Sequence, residues 1–290
     1  PPLEHCNAES SGGYKDVEVS SDPSMPIEND LGRRDLTINA IAYDTRSKRV
    51  IDLFEGLEDM ENKIIRAVGS PKERFREDMS RMFRAVRMAA AFDFEIEPVT
   101  WEALKEKMVE INKKEVVKDD DGNEILEKDG KAKTQYVIPR ETITREIAKA
   151  LTRNPKKAAE LLFRSGALRE LLPDMHTLRE NQVDRFAALS KLDSTDLTSI
   201  YALMLRGLSA KEMRRGFKMI NFERETQGTP RRAERKEIME LAEWLGNEDF
   251  VKNTIELRPY LFRGKLLNTQ GDRFIDCLRT LGKEDEANTI

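Results

Sequence analysis

Between residues 76 and 92 the apolar side chains Met79, Met82, Phe83, Val86 and Ala90 recur at spacings of three and four. An α-helix turns once in about 3.6 residues, so this spacing lays one apolar stripe along the helix, and that stripe has to be buried. The pattern returns over residues 141–151 and 155–163, with Gly166 placed to stop the second repeat. A chain with such segments in succession folds as helices packed on one another. Apart from the 113–138 segment, strand character is confined to residues 1–60. Val17-Glu18-Val19 and Val50-Ile51-Asp52-Leu53 are short β-like pieces, and Gly12-Gly13 and Pro23-Ser24 mark turns. Residues 36–43 fit either a short buried helix or a strand, because an apolar run this brief does not define a period.

Residues 113–138 interrupt the helical pattern. Asp121-Gly122 and Asp129-Gly130 are hairpin-turn pairs, flanked by Glu115-Val116-Val117 and Tyr136-Val137-Ile138. The segment reads as a solvent-exposed β-hairpin insertion. Asp119-Asp120-Asp121 has calcium-loop letters, but Gly122 falls at the wrong offset for an EF-hand, so a solvated acidic turn is expected.

Composition narrows the function classes. No apolar run approaches the roughly 18 residues of a membrane span, and no signal-peptide pattern is read. With 50 basic and 54 acidic residues the net charge is −4, which excludes a basic nucleic-acid-coating tail but permits a local basic face. Two cysteines and two histidines make no disulfide framework and no His-rich metal site, and the expected location is the cytoplasm. The chain starts Pro-Pro, which is read as a fragment of a longer frame.

Three clusters carry possible chemistry: Arg33-Arg34-Asp35, residues 52–66, and Glu77-Asp78-x-x-Arg81 followed by Arg84 and Arg87. On one helix, three arginines at every third position span an arc of roughly 120°, and Asp78 can reach Arg81 at i,i+3. Such a stripe is either a solvated, salt-bridged face or a cradle for a polyanion, which three arginines against one carboxylate favour. Residues 211–236 are also basic, and Lys211, Arg214, Arg215, Lys218, Arg231 and Arg232 form either a solvated surface or a face that follows RNA phosphates.

The stretch Glu28-Asn29-Asp30-Leu31-Gly32-Arg33-Arg34-Asp35-Leu36-Thr37-Ile38-Asn39-Ala40 resembles the RRD-(F/L)-T-I-N-A block of class II tRNA nucleotidyltransferases, the CCA-adding enzymes. That family also includes bacterial poly(A) polymerases. Asp52-Leu53-Phe54-Glu55-Gly56-Leu57-Glu58-Asp59 with Ile65-Arg66 resembles its next block, and Arg74-Phe75-Arg76-Glu77-Asp78-Met79-Ser80-Arg81-Met82-Phe83-Arg84-Ala85-Val86-Arg87 resembles its RF-x-EDP-x-RxLRAxR block.

The resemblance implies an α+β fold: a partial nucleotidyltransferase head with a small remnant sheet over 1–60, then an elongated all-helical neck, body and tail. The neck, with the base-reading helix and the insertion, is placed at 61–175, and the RNA-binding body and tail at 176–290. Arg34 is expected on the triphosphate and Asp35 near the ribose. Asp78 and Arg81 would read the base, and Arg84 and Arg87 would hold the nucleotide's charge. The implied activity is addition of C and A to the tRNA 3′ end from CTP and ATP with Mg²⁺. The family's Asp-x-Asp metal pair is expected upstream of residue 1. The chain is therefore expected to be N-terminally truncated, to hold no catalytic or metal-binding residue, and to be inactive alone. The alternatives are a poly(A) polymerase using ATP only and a catalytically dead RNA-binding protein.

Overall fold

The computed structural model describes residues 2–6, 17–21, 26–119, 121–177, 182–192, 196–219, 232–247 and 267–289. Strands β1 (Pro2–Cys6) and β2 (Val17–Ser21) pair antiparallel. Helix α1 (Ile27–Gly32) leads through a 3₁₀ turn at Thr37–Asn39 into the antiparallel hairpin β3 (Ile41–Asp44) and β4 (Arg49–Asp52). Residues 36–43 therefore hold both a helical turn and a strand. Helix α2 (Gly56–Glu61) and strand β5 (Ile64–Ile65) close this part, and β5 pairs in parallel with β6 (Glu95–Ile96). The β structure consists of separate two-stranded pieces.

The expected helix over 76–92 is broken. Helix α3 (Pro71–Glu77) ends at Asp78, whose backbone is extended at φ −149° and ψ 105°, and α4 (Ser80–Phe92) starts afresh. The Asp78 carboxylate accepts the Ser80 backbone N–H at 2.8 Å, the kind of side-chain bond that satisfies free donors at a helix start. Phe75, Met79, Met82 and Phe83 are nonetheless all buried, so the apolar stripe runs unbroken across the corner.

Helix α5 (Pro98–Met108) precedes the insertion, whose β7 (Lys114–Val116) and β8 (Thr134–Tyr136) pair antiparallel as expected. The tip folds over twice, at Gly122 (φ +83°) and Gly130 (φ +81°), with isolated bridges Lys118↔Glu124 and Leu126↔Ala132. Left-handed φ is cheap only for glycine, which explains both pairs of turn letters. The Asp119 carboxylate accepts the backbone N–H groups of Asp121 and Asn123, so it is occupied in shaping the turn.

The helical part continues as α6 (Arg140–Leu151), α7 (Pro155–Arg164), α8 (Ala167–Leu171), α9 (Gln182–Leu189), α10 (Leu197–Leu205), α11 (Ala210–Met219), α12 (Arg232–Gly246), α13 (Leu267–Thr280) and α14 (Glu284–Thr289). Gly166, at φ +86°, separates α7 from α8. Every residue of α10 from Thr198 to Leu205 is buried, as an all-round apolar helix requires. One apolar core reaches from Leu36 to Ala287, and Trp244 packs against it. A smaller cluster of Leu31, Ala40 and Val68 supports the head segment. The layout is an α+β head segment followed by packed helices.

Candidate functional site

A pocket of about 810 Å³ opens where residues 33–39 meet α4 and α6. All six residues expected to bind nucleotide line it: Arg34, Asp35, Asp78, Arg81, Arg84 and Arg87. Arg33, Asn39, Ser80, Met88, Thr142, Arg145 and Glu146 complete the wall. The volume lies within the range of small-molecule sites.

The head side of the pocket is fastened by buried carboxylates. Asp30 bonds Arg33 Nη2 at 2.6 Å and Arg34 Nη2 at 2.8 Å, which fans the two guanidinium groups from the end of α1. Below them, Asp59 accepts the Thr37 hydroxyl at 2.6 Å and holds Arg66, while the Thr37 N–H donates to the Arg66 carbonyl at 3.0 Å. The second motif block therefore fastens the first. Asp35 is 8% exposed, accepts Arg84 Nε at 2.6 Å, and is bonded by the Asn39 amide and the Leu36 N–H.

Burial alone pushes the Asp35 carboxyl upward, but the Arg84 charge and the hydrogen bonds from Asn39, Arg84 and Leu36 outweigh it. Its pKa lies below the ordinary 3.8, so its stabilising contribution is complete above that value and fades as pH falls through the folded-state pKa. Asp35→Asn is accordingly expected to lower stability at pH 7 by about 1–3 kcal/mol. The gap to the unsubstituted chain should narrow below pH 4, as read by denaturant titration at both pH values. A gap of constant size would remove the charge from this account.

The arginine stripe is less bare than the sequence spacing implies. Asp78, set apart by the corner, does not pair with Arg81; Arg81 Nη1 instead meets Glu77 at 2.7 Å, and its Nη2 reaches the Arg33 carbonyl at 3.4 Å. Arg84 pairs with Asp35, and Arg87 Nε lies 2.6 Å from Glu146 Oε2. Each arginine of the stripe thus has a carboxylate, one from the preceding turn, one from the head and one from α6. The lining still holds six arginines against Asp35, Asp78 and Glu146. Sequence spacing missed Thr142, Arg145 and Glu146. Their signal was a polar i, i+3, i+4 set on an otherwise core-facing helix, where Ile143, Ile147, Ala150 and Leu151 are buried.

Elsewhere, Lys211, Arg214 and Lys218 lie exposed on α11. Arg215 is engaged, its guanidinium gripping both oxygens of Asp174. Arg231 lies outside the described residues, and Arg232 opens α12. Among the described residues no group of three or more His, Cys, Asp or Glu side chains is placed to hold a metal ion. The described residues do not fit a Mg²⁺ site.

The chain is thus a small α+β head segment joined to a helical body, with an arginine-walled pocket where residues 33–39 meet α4 and α6. Residues 4–66 match the family described as Poly A polymerase head domain. The chain is 58% identical over 79 residues to the CCA-adding enzyme of Ligilactobacillus salivarius, covering 27% of this chain and 19% of that one. It is 35% identical over 200 residues to the CCA-adding enzyme of Streptococcus gordonii, covering 69% and 44%. The crystal structure of the Bacillus stearothermophilus CCA-adding enzyme in complex with CTP superposes with a TM-score of 0.58 at 22% identity, over 96% of this chain and 61% of that one. The head-domain match and the curated relatives support kinship with the CCA-adding enzymes over the aligned stretches. The chain spans less than half the length of these two curated relatives.

Proposed function

We propose that the chain is the nucleotide-selecting and RNA-holding part of a cytoplasmic tRNA nucleotidyltransferase that adds C and A to tRNA 3′ ends from CTP and ATP, with Mg²⁺ as the family's metal. The observation that carries this reading is the single pocket that gathers Asp78 and Arg81 with Arg34, Asp35, Arg84 and Arg87. Cytosine and adenine both present an amino donor beside a ring-nitrogen acceptor. A carboxylate is acceptor-only and a guanidinium donor-only, so Asp78 and Arg81 complement both bases and oppose the carbonyl and N–H of uracil and guanine.

The geometry leaves these groups available. Asp78 uses Oδ1 for the Ser80 N–H, and Oδ2 remains for the base amino group. Glu77 accepts from Arg81 Nη1 and the Arg33 carbonyl accepts weakly from Nη2, which leaves further N–H groups of this five-donor guanidinium for a base. Arg34 and Arg84 carry charge for the phosphates, and Asp35 keeps Arg84 in place. Equilibrium titration of the chain with the four nucleoside triphosphates tests the reading. CTP and ATP should bind at least tenfold more tightly than UTP and GTP. Binding of ATP alone would move the reading to a poly(A) polymerase, and binding of none would leave an RNA-holding protein.

RNA enters through phosphate charge rather than sequence. Reversing Lys211, Arg214 and Lys218 to Glu is expected to weaken tRNA binding and to reduce the slope of log affinity against log salt by roughly 0.7–0.9 per lost contact. An unchanged slope would make α11 a solvated surface only. Among the described residues no helix is long and apolar enough to cross a membrane.

A further inference from the structure

Five of the six arginines around the pocket share their charge with a carboxylate: Arg33 and Arg34 with Asp30, Arg81 with Glu77, Arg84 with Asp35, and Arg87 with Glu146. Arg145 is the exception. It lies half-buried on α6, lines the same wall, and has no ion-pair or hydrogen-bond partner among the described residues. A fully solvated arginine needs no partner, but one drawn partly out of water without one carries a desolvation cost that only an anion repays.

We propose that Arg145 is a nucleotide-positioning residue that binds the phosphate chain of the incoming nucleoside triphosphate. This rests on the reading of the pocket as a nucleotide site and adds a contact from α6, across the pocket from the head. The charge count supports the assignment. The five paired arginines share four carboxylates, Arg33 and Arg34 dividing Asp30, so much of their charge is offset before any ligand arrives, whereas a triphosphate brings about three to four negative charges. Arg145 supplies positive charge that no protein group has claimed. The free nucleotide is favoured over an RNA phosphate because the side chain faces a nucleotide-sized pocket rather than lying fully exposed.

The test compares R145Q and R145K with the unsubstituted 290-residue chain, titrating ATP, CTP, CDP, CMP and a tRNA lacking its terminal CCA. R145Q keeps the aliphatic stem and removes the charge. It should melt at the same or a slightly higher temperature, because no internal bond is lost and the desolvated charge is gone. Its CTP and ATP affinities should fall alike, on the order of tenfold, with a smaller loss for CDP and almost none for CMP. R145K should recover much of the loss. Equal CTP affinity in R145Q and the unsubstituted chain overturns the proposal, as does a loss confined to tRNA, which would place the residue on RNA. If the unsubstituted chain binds no nucleotide, the nucleotide reading of the pocket fails first and takes this inference with it.

Discussion

Asp78→Ala should relax base choice, raising UTP and GTP affinity relative to CTP and ATP by about 1–3 kcal/mol, the usual cost of a buried polar group without its partner. The carboxylate is the acceptor that repels a base carbonyl, and alanine removes the repulsion together with the bond to the amino group. The same substitution also strips the Ser80 N–H of its acceptor at the start of α4, for which a stability loss near 1 kcal/mol is expected. Asp78→Asn separates the two effects. Its amide oxygen still accepts the Ser80 N–H, while its amide nitrogen presents a donor to the base. Stability should hold, and preference should turn toward bases that offer a carbonyl at that edge. Nucleotide titrations beside thermal melts read both quantities. Selectivity unchanged in both variants would take base reading away from Asp78. Arg84→Ala should instead weaken all four nucleotides about equally, since phosphate charge carries no base information.

Gly56→Ala is expected to destabilise the head segment. A Cβ on Gly56 would stand 2.3 Å from the Thr37 carbonyl oxygen and 2.9 Å from its carbon, and both are backbone atoms that cannot rotate aside. The fit is close because the Asp52 carboxylate draws in the N–H groups of Gly56 and Leu57, and Glu55 turns through φ 60° to start α2. Relieving the contact means moving Thr37, whose N–H and hydroxyl tie the pocket floor to Arg66 and Asp59. Overpacking of this kind costs about 1–3 kcal/mol, against a helix-propensity gain of under about 1 kcal/mol. Denaturant melts should show the loss, and CTP affinity should fall with it as Arg34 and Asp35 shift. A melt within 0.5 kcal/mol of the unsubstituted chain would mean that α2 can slide away from Thr37.

The motif letters name much of the pocket wall. Arg34, Asp35, Asp78, Arg81, Arg84 and Arg87 do line one cavity. The turn letters of the insertion also named both positive-φ glycines. The corner at Asp78 was hidden for a definite reason. Burial of Phe75, Met79, Met82 and Phe83 keeps helical spacing on both sides of the break, so hydrophobic period cannot register it. The signal that was present was local, an aspartate two residues before a backbone N–H that needed an acceptor.

Local chemistry thus determined which segments became helices, where glycine turned the chain, and which arginines could share a face, because those choices depend on neighbours within a few residues. Only the tertiary structure decided how the charges were shared. Asp35 meets Arg84 across 49 positions of chain, and Glu146 meets Arg87 from a helix beyond the insertion. Ion pairs of that span depend on how α4 packs between the head segment and α6, and that packing is set by the shared apolar core rather than by any spacing along the sequence. The same packing leaves Arg145 facing the pocket without a carboxylate of its own.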